Sequence, residues 1–321
     1  MDQNHTAVPP NNAGARVYAV IVLLFDLLVI FVQWTYYVFE GIYQLFKPPE
    51  EKSVSGEIVL ITGTGHGIGR ELALQYSALG ATVVCWDINE AGNKETVKEI
   101  QARKGKAHHY VCDVSNRDQV MEVVKKVKAE VGSVTILVNN AGIMPCHPFL
   151  QHTEAEIRKI FDINVLAHFW ILQAILPDMI ARGKGHVVSL SSMAGVVGLQ
   201  NLVPYCGSKF AVRGFTEALY EEIRMQGLWE KIKFTTIYPY MVDTGLCKKP
   251  YMRFKNLMKL IRPEEAAAAI ISAQRQELIE ASIPKYLLYL NGFTRLYPVK
   301  CGVLLKDFFN SGVESDLTPS N

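Results

Sequence analysis

Net charge is almost absent from this 321-residue chain: 33 lysines and arginines stand against 31 aspartates and glutamates. No field strong enough to recruit nucleic acid arises from such a balance, so nucleic acid is excluded as a partner. Cysteine pairs at C-x-x-C spacing are also missing. Cys85, Cys112, Cys146, Cys206, Cys247 and Cys301 are scattered. That excludes a disulfide framework and a cysteine metal site, and fits reduced thiols in a domain facing the cytosol. The eight histidines show no ligand spacing beyond the His108-His109 doublet. The doublet falls on a predicted strand, where neighbours point to opposite faces, so no metal is expected. Internal repeats and low-complexity runs are lacking, which excludes a solenoid.

One place is nearly free of charge. Residues 1–16 are polar and read as a disordered tail. Residues 17–46, VYAVIVLLFDLLVIFVQWTYYVFEGIYQLF, follow. A helix crosses the hydrocarbon layer with roughly 20 apolar residues, so this stretch is long enough to anchor the chain. It lacks a small-residue cleavage site and is not a plain signal peptide. Trp34, Tyr36, Tyr37 and Tyr43 gather toward its end, as at a membrane interface. Asp26 interrupts the run, which leaves two solutions: a tilted span, or a helix that embeds without crossing. Lys47 and Lys52 follow the segment and only Arg16 precedes it, which places the remaining chain on the cytosolic side. Residues 47–56, KPPEEKSVSG, read as a solvated linker, with Pro48-Pro49 stopping the helix.

From there, apolar runs alternate with helical stretches, the pattern of an α/β, doubly wound parallel sheet in one Rossmann-like domain. Residues 58–62, IVLIT, lead into Gly63-Thr64-Gly65-His66-Gly67-Ile68-Gly69 and a predicted helix over 70–79. Strand, glycine turn and helix make a site where backbone closely approaches a pyrophosphate at a helix amino terminus. Gly63, His66, Gly67, Ile68 and Gly69 are the candidate contacts. The next predicted strand, 81–86, ends in Asp87. Its carboxylate can accept hydrogen bonds from ribose hydroxyls and would repel a 2′-phosphate, which favours NAD over NADP. Alternatively it caps the helix that starts near Asn89. His66 could offer charge to a phosphate, which keeps NADP open. Strand 107–112 leads to Asp113-Val114, where the carboxylate either meets an adenine amino group or caps the helix over 116–131. Strand 134–138 leads to Asn139-Asn140-Ala141-Gly142. There small residues permit close approach to a cofactor, and the asparagines can pin neighbouring strands.

Residues 185–209, GHVVSLSSMAGVVGLQNLVPYCGSK, carry the chemistry. A strand over 186–190 ends near Ser192. A helix begins after Pro204, and on it Tyr205 and Lys209 stand four residues apart, on one face. A free phenol has a pKa of about 10. A cation nearby is expected to lower it toward the range where acid–base catalysis is efficient. Ser192 can hydrogen-bond a carbonyl or alcohol oxygen.

Taken together, TGTGHGIG, NNAG, Ser192 and Tyr205-x-x-x-Lys209 resemble the short-chain dehydrogenase/reductases over about residues 57–275. The resemblance implies hydride transfer with a nicotinamide cofactor. It makes Tyr205 the general acid–base, with Lys209 lowering its pKa and binding the nicotinamide ribose, and Ser192 orienting the substrate oxygen. Asn164, in FDINVLAHFW, stands where the family places an asparagine of a proton relay. Pro239, Val242 and Thr244 match the PGxVxT segment that holds the nicotinamide carboxamide, with Tyr240 in place of its glycine. The entry KSVSGEIVLITG, with WDIN, VLAHFW and PYMVDTG, resembles a membrane-bound branch that includes 17β-hydroxysteroid dehydrogenases types 11 and 13 and related retinol dehydrogenases. This implies lipophilic alcohols or ketones as substrates and the endoplasmic reticulum membrane or lipid droplet as location. It also implies a homodimer through the helices near Asn164 and Tyr205. The domain is expected to span residues 57–280, with a lid at about 245–263 whose apolar side chains could bury a substrate. Basic residues of that lid face either anionic head groups or solvent. Residues 281–321 read as an amphipathic segment ending in a disordered tail. The rival reading is a lipid-surface binding or scaffold protein with vestigial activity.

Overall fold

The alternation of apolar and helical stretches becomes a layered sheet in the computed structural model, which describes residues 13–254 and 259–317. The chain forms two units, residues 1–50 and 51–321. The described part of the first is essentially one helix, α1 (Ala13–Phe46), with no buried residue. Its 34 residues reach roughly 50 Å at 1.5 Å per residue, beyond the thickness of a hydrocarbon core. A helix apolar on all sides needs a medium other than water. It begins inside the stretch read as a polar tail, because Ala13 to Arg16 extend the same helix; residues 1–12 lie outside the described residues.

In the second unit, strands β1 (Ile58–Thr62), β2 (Thr82–Asp87), β3 (Lys106–Val111), β4 (Ile136–Asn139) and β5 (Gly185–Leu190) match the predicted strands to within two residues, and β6 (Ile232–Pro239) matches the strand that the sequence predicts over 231–238. A short pair follows, β7 (Pro250–Met252) with β9 (Ser311–Val313), and β8 (Glu280–Ile283) lies between them in sequence. The main sheet runs β3-β2-β1-β4-β5-β6-β8 with every neighbour parallel. Both faces are covered, which is why the central strands read as unbroken apolar runs. Val59, Ile61, Val83, Val138 and Val188 pack under α2 (Gly67–Ala78), α3 (Glu90–Ala102) and α8 (Pro263–Arg275). Leu60, Val84, Leu137, Val187 and Phe234 pack under α4 (Arg117–Glu130), α6 (Ala167–Arg182) and α7 (Val203–Met225). Helix α5 (Glu154–Phe161) joins α6 through a π-helical stretch, Asp162–Leu166. Helices α9 (Tyr286–Thr294) and α10 (Val299–Phe309) close the chain's last third.

Two sequence expectations are corrected here. Residues 51–56 are not a free linker: Glu51 pairs with Arg275 at 2.5 Å, Lys52 pairs with Glu277 at 2.5 Å, and Val54 is buried. Charges that looked solvated are instead matched on α8 and the turn after it. The domain also runs well past residue 280. Strand β8 completes the sheet, and β9 binds β7 in antiparallel register, Pro250 opposite Val313. Residues 311–313, placed in the disordered tail by sequence, are therefore paired, and Val313 is buried. Of the proposed lid, Lys255, Leu257 and Met258 lie outside the described residues. Its described part is held by the carboxyl-terminal segment, since Arg253 donates to Phe308 O at 3.2 Å and its guanidinium lies 5.6 Å from the Phe308 ring.

Candidate active site

Strands β1 and β4 are neighbours whose following helices pass to opposite faces of the sheet, and a cavity of about 680 Å³ opens at their carboxyl ends. Such a switch point is where doubly wound sheets bind ligands. Gly63, His66, Gly67, Ile68, Gly69, Asp87, Asp113, Val114, Asn140, Ala141, Gly142, Ser192, Tyr205, Lys209, Pro239, Val242 and Thr244 all line it. Asn164 adjoins it rather than lining it.

The glycine turn is built tightly. Gly63 and Gly67 adopt φ of 75° and 57°, the left-handed region that favours glycine. At Gly69 a Cβ would lie 2.0 Å from Gly63 O, so no side chain fits there. Asn140 pins β4 to the turn, its Nδ2 donating to Thr62 O at 2.8 Å and to Gly63 O at 3.3 Å. Of the two asparagines expected to pin neighbouring strands, Asn140 alone does so; the buried Asn139 side chain has no hydrogen-bond partner among the described residues. Asp87 Oδ2 accepts from Gly65 N and Oδ1 from Asn89 N, both at 2.7 Å. The cap of α3 is Asn89, which accepts from Gly92 N, so the capping alternative for Asp87 falls. Likewise Asn116 caps α4, while Asp113 Oδ1 accepts from Ser115. Both carboxylates are thus rigid, at the cavity wall, and retain lone pairs for a ligand. A cradle that a Cβ would fill, at a helix amino terminus beside a fixed carboxylate, fits a dinucleotide.

Facing the turn, Tyr205 and Lys209 rise from the first turns of α7. Lys209 is buried, with its Nζ 5.7 Å from the centre of the Tyr205 ring and donating to Leu190 O at 2.8 Å. Ser192 Oγ accepts from Ala194 N at 3.1 Å and donates to Pro239 O at 3.4 Å. Asn164 lies in the π-helical stretch and is wholly buried. Its Oδ1 accepts from Ile143 N at 2.9 Å, and its Nδ2 donates to Ile143 O and Ser208 Oγ. A Cβ on Gly142 would stand 3.2 Å from Asn164 Oδ1 and 3.7 Å from Lys209 Nζ, so the two side chains flank one narrow space.

The electrostatics differ from the sequence expectation. Burial pushes the Tyr205 phenol up to about 12, against the Ser192 hydrogen bond that pulls it down. Burial also pushes the Lys209 ammonium down to about 8. A cation that is itself costly to keep charged, and turned toward a backbone carbonyl, does not offset the desolvation of the phenol beside it.

Residues 57–252 match the family model for short chain dehydrogenases. The chain belongs to that family. Among its relatives, this dehydrogenase is 42% identical to epidermal retinol dehydrogenase 2 of Mus musculus over 80% of its own length and 83% of the mouse protein. It is 36% identical to 17-beta-hydroxysteroid dehydrogenase 13 of Homo sapiens over 91% of its length and 96% of the human protein. A short chain dehydrogenase/reductase from Burkholderia phymatum, solved in complex with NAD, shares its fold at a TM-score of 0.68 and 23% identity, covering 74% of this chain and 92% of that one.

Sequence reading missed the apolar wall of the dehydrogenase's cavity. Met144, Leu199, Leu202, Met241, Cys247 and Val313 line it near Tyr205. They come from separate segments of the chain, and only folding brings them together. Tyr240, where the family has glycine, also lines the cavity, and its backbone N–H is tied to Ile283 O at 2.8 Å.

Proposed function

We propose that this short-chain dehydrogenase is a membrane-anchored NAD(P)-dependent oxidoreductase of lipophilic alcohols and ketones, of the steroid or retinoid type. The observation that carries this reading is the placement of Tyr205 between the glycine turn and a chamber walled by Met144, Leu199, Leu202 and Met241. A nicotinamide dinucleotide held by the glycine turn and Lys209 would supply the hydride exchange. Tyr205 exchanges the proton with the substrate oxygen, and Ser192 orients that oxygen. Lys209 holds the ribose and the local field, and Asn164 keeps the loop at Ile143 and a proton path in place. Helix α1 supports residence in the endoplasmic reticulum membrane or at the lipid droplet, with the second unit facing the cytosol. A second copy of the chain suits the apolar groove between α6 and α7, walled by Phe169, Leu172, Phe215 and Leu219. Asn164, Ser192, Tyr205 and Lys209 are all present, so nothing favours a vestigial scaffold.

Full-length protein in detergent, offered a panel of steroids, retinoids and short polar ketones with NAD or NADP, tests this by cofactor fluorescence. Turnover of the lipophilic members is expected. Equal efficiency on short polar ketones would sink the substrate class.

Asp87 supports NAD as the preferred dinucleotide, because its carboxylate is fixed where a 2′-phosphate would approach. Asp87→Ser is expected to raise the NADP-to-NAD efficiency ratio by about tenfold or more, equivalent to about 1.4 kcal/mol of removed repulsion. A wild-type enzyme that already prefers NADP would refute the assignment.

A further inference from the structure

The loop after β4 and the start of α5 gather three side chains that the redox chemistry does not use. His147 is buried, and its backbone N–H donates to Asn201 O at 3.0 Å. His152 directly precedes Thr153, the capping residue of α5, and its side chain is fully covered. Glu156 lies one turn on. One donor atom from each lies within 4.8 Å of the other two. His147 Nε2 is 3.3 Å from Glu156 Oε1, and His152 Nδ1 is 3.9 Å from Glu156 Oε2. The two imidazole centres are 5.0 Å apart.

Two features set this trio apart from ordinary buried histidines. Both ring nitrogens of His152, and Nδ1 of His147, are buried without a hydrogen-bond partner among the described residues. Leaving such a group buried and unpaired is costly, and a bound ligand would relieve it. In addition, Glu156 is already oriented. Its Oε2 accepts from Thr153 N at 2.9 Å and from Thr153 Oγ1 at 3.1 Å, completing a capping box. Outer hydrogen bonds of this kind hold the carboxylates that ligate metals.

We propose that His147, His152 and Glu156 form a binding site for a divalent transition-metal ion, zinc above all, with water in the fourth position. Two imidazoles and one carboxylate suit zinc, whereas calcium and magnesium require oxygen sets. Ligand atoms about a tetrahedral zinc sit roughly 3.3 Å apart; His147 Nε2 already stands at that distance from Glu156 Oε1, while His152 Nδ1, 3.9 Å from the other oxygen, Oε2, would draw in on binding. The ion would tie the 143–148 loop to α5. Ile143 of that loop holds Asn164 and Met144 lines the cavity, so the metal braces the active-site wall without touching the reacting atoms.

The test uses tag-free, full-length protein in detergent, stripped with a chelator and titrated with zinc chloride or cobalt chloride. Saturation at one equivalent is expected, with a thermal midpoint that rises with zinc concentration. The cobalt form should show the intense visible absorption of a tetrahedral site and no thiolate charge-transfer band. Glu156→Gln preserves the capping box, since glutamine serves there too. It and His152→Asn, checked for folding by circular dichroism, should each weaken zinc binding by about tenfold or more. Absence of saturable binding, affinities equal in wild type and both variants, or a thiolate band pointing to Cys247 or Cys301 would each overturn the site.

Discussion

Tyr205→Phe is expected to lower turnover by about 10²–10⁴-fold while leaving dinucleotide affinity nearly unchanged. The substitution removes only the hydroxyl. It leaves the ring against Leu202 and Met241, and Lys209 keeps its bond to Leu190 O. The wild-type pH dependence follows from the same geometry. With the phenol pushed up to about 12, its protonated form dominates at neutral pH. The proton needed for carbonyl reduction is therefore already in place, whereas alcohol oxidation needs the deprotonated form. That form grows about tenfold per pH unit below the pKa. Oxidation by the wild type should climb through the neutral and alkaline range while reduction does not, and in Tyr205→Phe the climb should vanish. Initial rates in both directions across pH measure this. Turnover by Tyr205→Phe close to wild type would remove the phenol from the chemistry.

What could be read from the sequence was local. Tyr205 and Lys209 share a helical face because four residues make about one turn, and that relation holds in any fold that keeps the helix. The glycine turn was legible for the same reason: Gly63, Gly67 and Gly69 act on each other across a few residues. Asp87 was legible only as a choice between two roles. Its neighbour Asn89 turned out to accept from Gly92 N, which frees the carboxylate for the turn. The sign of the Tyr205 shift was not legible, because desolvation depends on what the rest of the chain buries around the phenol, whereas the spacing to Lys209 reports only proximity.

The edges of the domain were misread for a related reason. Glu51 and Lys52 look solvated until Arg275 and Glu277, far away in the chain, supply their partners. Strand β8 is four residues long with an exposed Glu280 at its start, too short for a period to show, and it is defined by pairing with Thr236 to Pro239. Likewise β9 holds a buried valine, Val313, that matters only as a lid partner and cavity wall. His147, His152 and Glu156 escaped notice because a short 3₁₀ turn, Phe149–Gln151, folds the first back on the others, and no helix or hairpin period relates all three.

Gly69→Ala should abolish productive dinucleotide binding, lowering affinity by about a hundredfold or more, which corresponds to about 2.7 kcal/mol. The added Cβ would lie 2.0 Å from Gly63 O and 2.7 Å from both Gly63 C and Asn140 Nδ2. Two of these three are backbone atoms, and the third is the amide that pins β4 to β1, so none can swing aside as a flexible side-chain end would. The turn must open instead. Opening it moves Gly63 from the left-handed conformation that shapes the turn, and loosens the Asn140 bonds to Thr62 O and Gly63 O. Overpacking of this sort also costs about 1–3 kcal/mol of stability. Gly302→Ala in α10, where nothing lies within 4 Å of the new Cβ, provides the comparison. It should leave affinity intact and gain up to about 1 kcal/mol of helix stability. Fluorescence titration with the reduced dinucleotide and urea unfolding separate the two effects. If Gly69→Ala binds the dinucleotide as tightly as Gly302→Ala does, the pyrophosphate does not rest on this turn, and the placement of the nicotinamide against Tyr205 loses its footing.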